Sequence, residues 1–229
     1  MNLKIIVIIA KWLFMLCLPV LLLTASLGWG VNSLWLYKYG FQKYDIGQTT
    51  GLNDSELEKA ATGLTNYFNS GEEYISLAVV KDGQPFELFN QREVVHLRDV
   101  KGLIRLDYLL LLLTLVYALS YAGVSLFWRK RKCRRKLAWE VVGGSSITIL
   151  LMLALGLGTL LNFNQLFLQF HLLSFTNELW MLDPAKDYLI MLFPQGFWYD
   201  GAIFCTGITA GMAVVLGGVG GVYLRKIKE

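Results

Sequence analysis

The chain has 229 residues, 55% of them hydrophobic and only 17% charged. That balance excludes an ordinary soluble domain of this size and fits an integral membrane protein. The net charge of +4 excludes little, because seven of the 21 Lys and Arg residues fall in one run, Arg129–Lys136 (RKRKCRRK), and a basic run between apolar segments marks a cytoplasmic loop rather than a nucleic-acid site.

The first apolar run is Ile5 to Leu27, broken only by Lys11. It is long enough to cross a hydrocarbon core about 30 Å thick. Its length exceeds a signal-peptide core and no small-residue cleavage site follows. Residues 1–28 therefore read as an uncleaved helix, bent at Pro19. Cys17 follows Phe14-Met15-Leu16, which lack the small residues that precede a lipidated cysteine, so Cys17 reads as a span residue.

Residues 29–105 form the long hydrophilic insert. Asn53 and Asp54 can start a helix, and Ser55 and Glu58 have capping-box spacing. Leu57, Ala61, Leu64 and Phe68 then mark one apolar stripe. Ile75–Val80 reads as a strand, Asp82-Gly83 as a tight turn and Pro85–Phe89 as the returning strand. One helix and one hairpin bury too little to stand alone, which predicts a small α+β cap resting on the membrane helices. Its eight basic residues do not decide its side, since long translocated loops escape the positive-inside rule.

Residues 106–128 are the second span and 129–138 the basic loop. Residues 139–161 are the third span, with Gly143, Gly144, Gly156 and Gly158 suited to close helix contact. Residues 201–229 hold the fourth span and a tail closed by Arg225, Lys226 and Lys228, again with a glycine series. The expected fold is an all-α membrane protein of four transmembrane helices, with the cap inserted between helices 1 and 2. Both termini are expected in the cytoplasm of a multi-pass plasma-membrane protein, with the cap and residues 162–200 on the extracellular face.

Residues 162–200 are the unusual stretch. Rings crowd it, and Glu178, Asp183, Asp187 and Asp200 sit among them. Rings with polar tips and scattered acids belong at a membrane–water boundary. Phe170, Phe175, Trp180, Phe193, Phe197 and Trp198 are the candidate walls of a lipid pocket. Asp183-Pro184 reads as a turn, with Asp187 and Asp200 as helix caps.

The chain has two histidines, His96 and His171, both placed by this topology on the outer side near a membrane entry point. Imidazole suits proton transfer at neutral pH. Asp99 lies one helical turn from His96 and can hold one of its ring nitrogens, or it can pair with Arg92 or Arg98 instead; Glu93 stands in the same relation on the other side. Asn177, Trp180 and Tyr199 offer donors to a developing oxyanion, though each also suits a plain interfacial role. There is no serine elbow, HExxH or phosphate loop. Cys17, Cys133 and Cys205 have neither disulfide nor zinc spacing, and no metal or cofactor is expected. Proton-transfer catalysis on a bound lipid is the most natural chemistry. A lipid hydrolase, an intermolecular acyltransferase and a non-enzymatic accessory protein remain alternatives.

The blocks EVVHLRDVKGL and FHLLSFTNELWMLDPAKDYLIMLFPQGFWYD, in a four-span layout, resemble the lipoprotein intramolecular transacylase family of bacterial integral membrane proteins. The resemblance covers nearly the whole chain. It implies an extracellular cap, two catalytic histidines at its junction with the membrane (here His96 and His171), and a diacylated lipoprotein in the membrane lipid as substrate. The implied reaction moves the sn-2 acyl chain of a diacylglyceryl lipoprotein onto its N-terminal cysteine amine, giving the lyso form.

Overall fold

The computed structural model describes residues 3–127 and 131–226. Trp128, Arg129, Lys130 and Lys228, which close the expected spans, lie outside the described residues. The elements run α1 (Leu3–Asn32), α2 (Leu34–Lys43), α3 (Ile46–Thr50), α4 (Asp54–Asn69), β1 (Ala78–Lys81), β2 (Gln84–Glu87), α5 (Gln91–Phe127), α6 (Arg131–Ser174), α7 (Tyr188–Leu192) and α8 (Gln195–Lys226). Among the described residues, α1, α5, α6 and α8 are long and apolar enough to cross a membrane. The fold is helical, with one two-stranded sheet in the insert between the first two of these helices.

The chain divides into two compact units. One comprises the described parts of Met1–Gly28, Asp107–Leu160 and Ile203–Glu229. Its core includes Phe14, Leu18, Ala118 and Leu137, with Phe14 stacked on Tyr121 at 4.7 Å. Many of its large apolar side chains are exposed, among them Leu113, Leu119 and Leu150. In lipid such a surface faces hydrocarbon and has no need of a protein partner. Pro19 lies inside α1 and removes the donor that would reach the carbonyl of Met15. Gly144 approaches there: a Cβ on it would lie 3.0 Å from that oxygen.

The other unit comprises Trp29–Leu106 and Leu161–Ala202. Here α4 buries Leu57, Ala60, Ala61, Leu64, Tyr67 and Phe68 along one face. Its start differs from the expected capping box. Asn53 is the cap, its Oδ1 accepting from the Glu56 N–H at 3.0 Å, while Ser55 donates to the same oxygen and Glu58 pairs with Lys38 at 2.8 Å. Asn53 wins because its backbone is extended and its short side chain reaches the first free donors.

The hairpin is shorter and shifted from the expected strands. Asp82 and Gly83 both have positive φ, 52° and 76°, which suits a two-residue primed turn and fixes Lys81 opposite Gln84. Ser76 and Leu77 do not continue β1 as expected, because the Glu87 carboxylate accepts from the Ser76 hydroxyl and from the Leu77 N–H at 3.0 Å.

Two helices reach well beyond their apolar segments. Gln91–Arg105 has no proline, so α5 carries its charged turns and its apolar turns as one helix. In α6 the helical geometry breaks at Asn162 (φ −157°, ψ 73°), whose Oδ1 accepts from the Gln165 N–H at 3.1 Å and so caps the last turns, residues 163–174.

Candidate active site

The site lies within the second unit, where the first turns of α5 and the last turns of α6 each present a histidine. The two imidazole centroids are 6.5 Å apart and the ring planes differ by 26°. Phe175 completes a triangle with them, 5.0 Å from His96 and 5.7 Å from His171. Histidines 75 positions apart in the chain therefore share one pocket of rings.

His171 is oriented by its own helix. Its Nδ1 lies 2.8 Å from the carbonyl of Phe167, four residues back. A carbonyl only accepts, so the neutral ring carries its proton on Nδ1 and leaves the Nε2 lone pair free. Phe167 and Phe170 stand edge-on to the imidazole at 4.4 and 5.3 Å, and Trp180 lies across it at 4.8 Å. Rings on three sides fix the plane and keep bulk water off, while one side stays partly open.

His96 is 6% exposed, and its Nδ1 is buried without a hydrogen-bond partner. An unpaired buried polar atom costs free energy, which sets this nitrogen apart from the paired groups around it. Among the described residues no carboxylate hydrogen-bonds to either imidazole.

Asp99 is not the partner of His96 that its spacing allowed. Its Oδ2 accepts from the Asn177 amide at 2.8 Å, and its Oδ1 lies 3.5 Å from the Arg98 guanidinium. One N–H of the Asn177 amide is thereby engaged, and its Oδ1 accepts from the Leu179 N–H at 3.0 Å. Glu93 does not reach His96 either. It is 1% exposed and accepts from the N–H groups of Asn90 and Leu189, capping both its own helix and α7. Arg92, one turn before His96, donates to the Glu178 carbonyl at 2.7 Å. Sequence reasoning missed Arg92 and Glu93 as organisers of the site. It also missed Phe167, whose only signal was its position four residues before His171.

Of the expected pocket rings, Phe170, Phe175 and Trp180 touch a histidine. Phe193 and Phe197 pack elsewhere, against Tyr37 of α2, at 5.7 and 6.2 Å. Gly40 permits this approach, because a Cβ there would overlap the Phe197 ring. Trp198 bridges the two groups of rings through Phe167 and Phe193, at 6.1 Å from each. Tyr199 stands edge-on to Phe163, two helical turns before His171, and does not join the imidazoles.

The acids of the loop before α7 have structural partners. Asp183 makes the expected turn, with Oδ1 accepting from the Ala185 N–H at 2.9 Å, a bond that holds its carboxyl below the usual carboxylate range. Asp187 precedes α7 but does not cap it; its carboxylate accepts from the Asp183 N–H and the Asn90 amide, both at 2.7 Å. Asp200 is no cap, since it lies inside α8 and binds Lys43 and the Tyr44 hydroxyl. Its bond to Lys43 raises that ammonium's affinity for its proton above the ordinary value.

The family model for the lipoprotein intramolecular transacylase Lit matches residues 12–198. The chain belongs to this family. Its fold is similar to the solved membrane-integral lipoprotein intramolecular transacylase Lit from Bacillus cereus, with a TM-score of 0.81 and 21% identity over 96% of each chain. It is also similar to a variant of that protein in which a histidine is replaced by arginine, with a TM-score of 0.76 and 20% identity over 96% of this chain and 92% of the other. A second variant, with alanine at a histidine, has the same score and identity. A protein of uncharacterized function from Aquifex aeolicus is 33% identical over 155 residues, 66% of this chain and 64% of its own length. The family and the four apolar helices make this a multi-pass membrane protein.

Proposed function

We propose that the chain is a transacylase that moves the sn-2 acyl group of a diacylglyceryl lipoprotein onto the amine of its own N-terminal cysteine. The observation that carries this reading is the imidazole pair at 6.5 Å, one ring with a fixed tautomer and a free Nε2, in a member of this family.

The reaction asks for proton transfer and confinement, and the residues supply both. The amine nitrogen attacks the ester carbonyl while Nε2 of His171 takes a proton from it. The carbon–nitrogen bond forms, the bond from acyl carbon to glyceryl oxygen breaks, and a proton returns to that oxygen. In this reading His96 polarises the carbonyl or protonates the leaving oxygen. The net change is one proton moved from nitrogen to oxygen, so no cofactor or nucleophilic side chain is needed. Attack passes through an eight-membered ring, which closes reluctantly. Holding donor and acceptor in the closing shape is worth about 7–11 kcal/mol in well-oriented systems, and walls of Phe167, Phe170, Phe175 and Trp180 suit that task.

The basic loop and the Arg225-Lys226 end of α8 support cytoplasmic termini, with the histidines on the extracellular side. Two lipopeptides with differently labelled acyl chains and differently labelled peptides, mixed with the purified protein, test the proposal. The expected result is loss of the primary amine with each acyl chain kept on its own peptide. Released fatty acid would instead mean a hydrolase, and exchanged labels an intermolecular transferase. An unchanged amine would leave only a non-enzymatic role.

A further inference from the structure

Arg92, His96 and Asp99 lie on one stripe of α5, because they are four and three residues apart. The hydrogen bonds of Arg92 and Asp99 do not go to His96. Both reach across to the segment that follows α6. Asp99 accepts from the Asn177 amide at 2.8 Å, and Arg92 donates to the carbonyls of Glu178 at 2.7 Å and Leu179 at 3.5 Å. Asn177 in turn closes a local turn by accepting from the Leu179 N–H at 3.0 Å. The next residue, Trp180, is the one whose ring lies 4.8 Å from the His171 imidazole.

We infer that Asp99 and Asn177, with Arg92, form a bracket that seats Trp180 over His171 in register with His96; they are positioning residues for the transacylation proposed above. The inference rests on that reading for its catalytic meaning and on geometry for its mechanical one. Segment 175–187 has no regular secondary structure of its own. Its place beside α5 is therefore set by such side-chain bonds. Asp99 is the charged partner of Asn177 among the described residues, and a carboxylate accepts an amide N–H more strongly than a neutral acceptor does. Asp99 also faces Arg98 at 3.5 Å and acts through space on the His96 imidazole; Arg98 is engaged in addition by Tyr74 at 2.9 Å and Glu73 at 3.6 Å. It cannot replace Asn177, because its partners outside α5 are Tyr74 and Glu73, which do not belong to the segment after α6.

The test is a reciprocal exchange. Asn177→Asp sets two carboxylates against each other and opens the bracket. Adding Asp99→Asn restores one amide and one carboxylate in opposite order. The expected result is a fall in kcat of about 10²-fold for Asn177→Asp with KM nearly unchanged, since misplacement by about 1 Å has that effect, and recovery to within about fivefold in the double variant. A second readout does not depend on turnover. Diethyl pyrocarbonate modifies exposed imidazole, and peptide mass spectrometry reports His171 separately from His96. Modification of His171 should quicken several-fold in Asn177→Asp and return to the wild-type rate in the exchange. A double variant as impaired as the single one, or a single variant with wild-type kcat and wild-type modification, overturns the bracket. If Asn177→Asp does not fold, Asn177→Ala serves for both measurements, with loss of protection at His171 required. A wild-type protein that makes no lyso-lipoprotein refutes the transacylase reading instead, and the modification series still decides the bracket.

Discussion

Replacing His171 with asparagine separates the two nitrogens of the ring. The asparagine amide nitrogen falls near the place of Nδ1, so it can keep the 2.8 Å bond to the Phe167 carbonyl that orients the native side chain. Nothing in asparagine occupies the place of Nε2. The variant therefore loses the proton acceptor and keeps the scaffold. General-base catalysis contributes about 10²–10⁴-fold, or about 3–5 kcal/mol of barrier. The retained hydrogen bond, worth about 1 kcal/mol, keeps the melting temperature near that of the wild type. Substrate and product are isomers of the same mass, so intact mass is blind to the reaction. Turnover must be read from loss of the primary amine, or by tandem mass spectrometry that places the acyl chain on nitrogen. The expected outcome is at least a hundredfold loss of kcat with unchanged stability. A variant within tenfold of wild type would show that Nε2 of His171 does not move the proton. A matched loss of melting temperature would show that the ring is scaffold.

Gly40→Ala forces the Phe197 ring from its seat against α2, and the expected cost is about 1–3 kcal/mol in thermal unfolding, with a smaller effect on kcat than on stability. Glu93→Ala removes the acceptor of the exposed Asn90 N–H and leaves the N–H of buried Leu189 unpaired, and should lower stability by about 1–3 kcal/mol, read from melting in detergent with and without lipid. The rate should rise with pH, reach half its maximum near pH 8 and level off about one unit higher, because the attacking α-amine must lose its proton and its ordinary pKa is about 7.7–8.0; a flat profile between pH 6 and 9 would remove amine attack from the rate-limiting step. Gly102→Ala meets no atom within 4 Å and replaces a weak helix former between His96 and the apolar part of α5. Stability should rise by about 1 kcal/mol with kcat unchanged, whereas a fall in kcat would make Gly102 a working hinge.

Much of this molecule was legible because its signals are local. Four long apolar runs give four helices, whatever their neighbours do. Asp82-Gly83 specifies its own turn, and the stripe of α4 specifies its own buried face. The two histidines were legible as candidates because no other imidazole exists in the chain. What could not be read was the choice of partner. His96 and Asp99 have ideal helical spacing, yet the Asp99 carboxylate goes to an amide 78 residues away. Spacing says which groups can meet on one helix. It does not say which group from another segment will compete for them, and Asn177 carries no local mark of doing so. The contacts of Phe193 and Phe197 with α2 were illegible for the same reason. Their rings sit in the right stretch, but Phe197 fits against α2 only because Gly40, far away in sequence, has no side chain, and Phe193 packs on Tyr37 of the same helix.

The helix ends carry the deeper lesson about the site. Hydropathy changes sharply between Arg105 and Leu106, and a reading of composition divides the chain there. The backbone does not divide: α5 continues from Gln91 to Phe127. On the other side α6 breaks its geometry at Asn162 and re-forms at once, with His171 within its last turns. Both imidazoles are thus mounted on helices that extend past the apolar spans, and only Phe175 and Trp180 stand on irregular backbone. Groups that transfer protons need fixed distances, which helices supply, while a wall that admits a bulky two-chain lipid has to give way, which a loop held by a few side-chain bonds can do. The division of labour between α5, the last turns of α6 and segment 175–187 follows from these two demands.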